Sequence, residues 1–172
     1  HQAWFLLPVF TADVLHQNAD VGGFLLAATG LGGFVSAITI ASVGFTFNKG
    51  LVVLASMVLS SIFVMLFAQS QWLVPPAPIV PAVILIGLMS FAQSHFRTTN
   101  GTLIQLKTPD RFRGRVTSLA NYGQGFIFPV SVLVGLFADI GAVVTAITAL
   151  GAVGLTLSTY SMVTLRKVRQ LL

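Results

Sequence analysis

Ser90, Gln93, Arg97 and Asn100 stand three and four residues apart in a mostly apolar run, so on a helix they share one face. One guanidinium beside two amides and a hydroxyl is a set suited to holding an anionic or hydrogen-bonding molecule. An Arg at the centre of a membrane helix costs about 2.5–3.5 kcal/mol on insertion scales, so it must meet water or a partner. Two readings stay open. Either the helix continues to about residue 106 and the four residues line a cavity, or it ends early and Arg97 snorkels to lipid headgroups. His95 falls about 160° from Gln93 around such a helix, a position better suited to an interhelical or interfacial bond than to carrying protons.

A second set lies just downstream. Of the nine Lys and Arg residues in the chain, Lys107, Arg111, Arg113 and Arg115 crowd into the segment KTPDRFRGRV. Thr108 suits an N-cap, Pro109 the first helical position, and Asp110 the positive end of a helix dipole, so the basic loop is also a helix start. Gly114 permits close backbone approach or a bend. The guanidinium groups of Arg113 and Arg115 beside it can take a lipid phosphate, a carboxylate or the carbonyl end of a neighbouring helix. Thr117, Asn121, Gln124 and Ser131 then form a further polar stripe, which lines a path or makes interhelical hydrogen bonds worth under about 1 kcal/mol each. Pro129 removes one backbone bond there and is expected to bend the helix.

Other chemistry has no equipment. The sequence has no cysteine, no cluster of His, Asp and Glu with metal-ligand spacing, no nucleophile beside a base and no glycine-rich phosphate loop. Neither an enzyme, a metal site nor a cofactor is expected.

The elements that must position these groups are set by solvent. Hydrophobic residues make up 55% of the 172 and charged residues 8%, with mean hydropathy +0.92, a composition from which no water-facing surface or disordered coil can be built. Membrane lipids are the expected surroundings. The isoelectric point near 10.5 then reflects topology and not nucleic acid. Apolar runs of helix-spanning length cover about 21–44, 51–69, 79–106, 115–137 and 142–163, preceded by a partial helix about 3–12 and followed by a basic tail, 164–172. Strands are excluded because the runs are too long and lack alternation. The opening HQAWFLL has neither an initiator Met nor a basic region before a cleavage site, so it reads as the remainder of a truncated helix and not a signal peptide. Gly30, Gly33 and Ala37 in the first full span predict close helix packing, whereas the spans at 51–69 and 142–163 carry only apolar and small residues, as lipid-facing helices do. Lys49, the 107–115 cluster, Arg166, Lys167 and Arg169 fall on one side, and Asp13, Asp20 and Asp139 on the other. The positive-inside rule makes the basic side, and the C-terminus, cytoplasmic.

The segment from Leu103 to Leu119, with Leu-Ile-Gln-Leu, Thr-Pro-Asp and Arg-Gly-Arg-Val in order, resembles the link between the tenth and eleventh helices of major facilitator superfamily exporters. LLPVFTADVL (6–15) is similar to the end of their seventh helix and GFLLAATGLGGFVSA (23–37) to their eighth, and the group with bacterial siderophore and macrolide exporters is nearest in flavour. The resemblance implies an all-α polytopic bundle, the C-terminal six-helix half of that fold with its first helix truncated. It also implies efflux of a small-molecule solute by alternating access against a missing N-terminal half, in a plasma membrane such as the bacterial inner membrane. Ser90, Gln93, Arg97, Asn100, Asn121 and Gln124 would then border the substrate path, and Asp110, Arg113, Gly114 and Arg115 would set the cytoplasmic gate. One departure stands out: the turn GFTFNKG (44–50) lacks the acid that the family often carries there, leaving Asp110 or the other half to supply a carboxylate for Arg113 or Arg115. The alternative is a non-transporting membrane scaffold or assembly subunit whose polar groups only hold helices together.

Overall fold

The computed structural model describes residues 11, 19–43, 48–73, 79–125 and 143–164. Among these the regular elements are all helices: α1 Ala19–Val43, α2 Lys49–Ala68, α3 Ser70–Leu73, α4 Ile79–Lys107, α5 Asp110–Gly125 and α6 Val143–Thr164. Four of them, α1, α2, α4 and α6, are long and apolar enough to cross a bilayer, so the protein has the build of a multi-pass integral membrane protein. The expected partial helix at 3–12 lies outside the described residues but for Thr11, as do residues 126–137 of the expected span at 115–137 and nearly all of the basic tail.

Local sequence explains where the helices begin and end. Asn48 caps α2, its side-chain oxygen accepting from the backbone N–H of Gly50 at 3.1 Å and of Leu51 at 3.3 Å. Pro81 is tolerated in α4 because it occupies the first turn, whose N–H groups have no intrahelical partner. That helix runs 29 residues, about 44 Å, and stops at Lys107 where Pro109 restricts the residue before it. Helix α5 starts at Asp110, with the N–H of Phe112 donating to Pro109 O at 2.9 Å.

Packing places α4 between α1 and α2, and α2 between α4 and α6. Along α1 the buried stripe is Leu25, Ala28, Thr29 and Ser36 with Gly32 among them, while Phe24, Leu31 and Phe34 on the other face are about two-thirds exposed (64–65%). Apart from Leu25, large apolar groups point outward and small or hydroxylated groups inward, the arrangement expected where lipid is the solvent. At the α1–α4 crossing a methyl group on Gly32 would run into the carbonyl oxygen of Gly87 and lie 3.1 Å from the backbone nitrogen of Phe91. Gly33 makes an ordinary approach to Ser90 and Ser94, but among the described residues nothing lies within 4 Å of a methyl on Gly30, and Ala37 is exposed. The packing expected of Gly30 and Ala37 therefore passes through Gly32 instead, because at 100° per residue both lie well over a right angle from the Gly32 stripe. Pro129 lies outside the described residues.

The partner pairs fix the helix directions. Thr29 meets Ser90 and Ser36 meets His95, both numbers rising, so α1 and α4 run parallel. Ser61 approaches Gly154 while Met65 approaches Gly151, so α2 and α6 are antiparallel. One apolar cluster joins Leu25 and Ala28, Phe67 and Ala68, Ala82, Leu85, Ile86 and Met89, and Ile147. It gathers the first halves of α1, α4 and α6 and the last turn of α2, and so packs these helices together toward one end. Lys49, Lys107 and the end of α6 lie at the other.

Candidate functional site

At that other end the helices part around a cleft of about 630 Å³. Its walls come from α2 (Met57, Ser60, Ser61), α4 (Gln93, Phe96, Arg97, Asn100, Gly101, Ile104, Gln105), α5 (Thr117, Ala120, Asn121) and α6 (Gly154). Why these side chains meet follows from spacing. Gln93, Arg97, Asn100 and Ile104 repeat at four and three residues on α4, and Thr117 and Asn121 do so on α5, which starts only three residues after α4 ends. On α2, Ser60 lies eleven residues from Lys49, about 17 Å, and Gly154 is as close to the middle of α6, so the cleft reaches roughly half the depth of the bundle.

Of the residues singled out by pattern, Gln93, Arg97, Asn100, Thr117 and Asn121 meet in this one space. Arg97 is on the cleft side of α4, ten residues or about 15 Å from its end. Ser90 is turned elsewhere: its buried hydroxyl donates to Thr29 O at 2.7 Å, tying α4 to α1. It stands at the edge of the stripe, where the neighbouring helix α1 reaches it first. Gln124 belongs to the last turn of α5, and its side chain lies outside the described set, as does Ser131. His95 has the interhelical role, with Nδ1 2.6 Å from the buried Ser36 hydroxyl and its ring 4.5 Å from that of Phe91.

The basic loop takes a definite form. Arg113 pairs with Asp110 Oδ1 at 2.7 Å and donates to Gln105 O in the last turn of α4 at 3.5 Å, so it bridges the end of one helix and the start of the next. Asp110 is 89% exposed, and a pair so open to water contributes at most about 1 kcal/mol. Arg115 is exposed, and Gly114 has open space around it, with no close backbone approach among the described residues.

Pattern reasoning missed part of the wall. Helices α2 and α6 read as lipid-facing, yet Ser60, Ser61 and Gly154 face the cleft. The signals were present: paired serines in an apolar run, and Gly151 and Gly154 spaced to let α6 approach Ser61 and Met65. Phe96 and Gln105 flank the stripe on either side and line the cleft with it.

No family model, no curated protein and no solved structure matches this chain. The cleft and the bundle that holds it are what bear on function.

Proposed function

We propose that the chain is the C-terminal half of a secondary active transporter of the major facilitator type, exporting a small molecule by alternating access against an N-terminal half. The observation that carries the reading is a cleft bearing the polar side chains of Arg97, Gln93, Asn100 and Asn121, in a bundle whose other end is packed by an apolar cluster. A membrane helix keeps an Arg at such depth when it faces water, a solute or a protein partner, since lipid would penalise it by a few kcal/mol. The Leu103–Leu119 resemblance supports the same assignment, with the basic end in the cytoplasm of a bacterial inner membrane. Asp110, Arg113, Gly114 and Arg115 then control closure at the α4–α5 junction.

The test is Arg97→Ala in the full-length protein, with efflux measured at matched membrane abundance. Export should fall at least about tenfold, which is about 1.4 kcal/mol of lost interaction. Unchanged export removes Arg97 from the path.

A further inference from the structure

The basic segment divides into an engaged arginine and exposed ones. Arg113 is held within the protein, by Asp110 at 2.7 Å and the carbonyl oxygen of Gln105 at 3.5 Å. Lys107, Arg111 and Arg115 are exposed and form no ion pair among the described residues. Residues 1–172 hold three further carboxylates, Asp13, Asp20 and Asp139. Asp20 is in the first turn of α1, and Asp13 and Asp139 are tied by six and four residues to Ala19 and Val143, the starts of α1 and α6, toward the end where the apolar cluster lies. Such tethers span at most about 22 and 14 Å, whereas α4 sets its last turn roughly 40 Å from that end. The excess positive charge is not met from within this stretch of chain.

Spacing along α5 separates two faces. At 100° per residue the cleft-lining Thr117, Ala120 and Asn121 fall on one side, and Arg111, Arg115, Leu119 and Tyr122 gather within about 80° on nearly the opposite side. Leu119 and Tyr122 are 75% and 79% exposed among the described residues. The Arg111 guanidinium stands over the ring of Phe112, 5.6 Å from its centroid, a contact that keeps the cation at the helix surface. Order along the axis matters as well. Two guanidinium groups one turn apart come first, and Leu119 and Tyr122 follow about 6 and 10 Å beyond Arg115, where α5 enters the apolar run at 115–137.

We infer that this face of α5 is a binding site for an anionic phospholipid of the bilayer, with the phosphate between Arg111 and Arg115 and an acyl chain along Leu119 and Tyr122. Forked donors one turn apart suit the several oxygens of a phosphate diester. With Lys107 adding to the field, a headgroup of net negative charge is favoured over a zwitterionic one, whose ammonium meets the same field. The apolar residues beyond the arginines select a lipid over a soluble phosphate, since they lie on the side toward which acyl chains leave a headgroup. The inference needs the chain to span a bilayer and does not depend on transport.

The experiment places the full-length protein in nanodiscs of phosphatidylcholine. A trace of phosphatidylglycerol or of phosphatidylcholine is added, each with the same diazirine near the glycerol end of one acyl chain, and adducts are mapped by peptide mass spectrometry after illumination. Phosphatidylglycerol should label residues 116–122 at least about fivefold more than phosphatidylcholine, the factor that one basic residue near an anionic surface is worth. Arg111→Gln with Arg115→Gln should bring the two lipids to within about twofold of each other, whereas Arg111→Lys with Arg115→Lys keeps most of the preference. Arg166→Gln with Lys167→Gln, which removes the same charge elsewhere, should leave it unchanged. The ratio is taken within each variant, so a fall in yield common to both probes does not mimic loss of the site. Should the glutamine variant not accumulate, the native protein at about 1 M salt takes its place, where screening should collapse the ratio. Equal labelling by the two lipids, the result expected if the arginines face an acidic protein segment, overturns the inference. So does a ratio that survives the glutamine pair or high salt, one that falls equally in the Arg166 and Lys167 variant, or displacement of the lipid by excess glycerol 1-phosphate.

Discussion

At the scale of single residues, the strongest constraint is absence of a side chain. Gly32 sits where any Cβ would strike the backbone of Gly87, and backbone, unlike the tip of a flexible side chain, cannot turn aside. Gly32→Ala should therefore destabilise by about 1–3 kcal/mol through overpacking of the α1–α4 crossing. Gly30→Ala, in open space on the other face, should be neutral or gain up to about 1 kcal/mol from helix propensity. Denaturant titration in detergent distinguishes the two, and equal costs would mean that α1 and α4 do not meet at Gly32. Both positions are glycines in one run, so their different roles were not legible in the sequence. Which of them touches another helix depends on how α1 rotates against α4.

At the scale of elements, helices in lipid gain little from burying apolar surface and are held by close packing and interhelical hydrogen bonds. The Ser36–His95 contact is such a bond between α1 and α4, with Ser36 fully buried. A double-mutant cycle of Ser36→Ala with His95→Phe should give a coupling of about 0.5–2 kcal/mol by thermal or denaturant unfolding. A coupling near zero would leave His95 available for another role. Expectation and outcome agree in kind here, since the angular position of His95 away from the Gln93–Arg97–Asn100 stripe already pointed to a neighbouring helix. Its partner could not be read in the same way, because Ser36 is 59 positions away in the chain. Ser90 shows the limit of the periodicity: sharing a face with Arg97 did not put it in the cleft, since a helix face wide enough for four residues borders two neighbours at once.

At the scale of the whole molecule, Lys49 and the basic residues from 107 to 115 lie toward the open, cleft end of the described helices and the apolar cluster toward the other. If the open end faces the cytoplasm, single cysteines placed at 107–115 should react with a membrane-impermeant maleimide only from the inner side, and cysteines near residue 20 or 139 only from the outer. Residues 1–172 hold no cysteine, so within them each replacement is read without background. Labelling of 107–115 from outside whole cells would reverse the orientation and with it the proposal that the basic loop guards a cytoplasmic gate.

The sequence by itself determined the solvent and the secondary structure. Apolar runs of spanning length leave the backbone only its own carbonyls to bond, so helices follow from composition, and four long apolar helices are found among the described residues. The polar stripe of α4 and the small-residue content of α1 were also legible, because both are local periodicities. Only the tertiary structure decided the rest: that α4 lies between α1 and α2, that Gly32 and not Gly30 makes the crossing, and that Ser60, Ser61 and Gly154 join Arg97 around one cleft. The physical reason is that, in lipid, nearly every face of an apolar helix is acceptable to the solvent, so hydropathy does not say which face turns inward. Shape, the fit of glycine against backbone and hydroxyl against carbonyl, makes that choice, and it exists only between helices far apart in the chain.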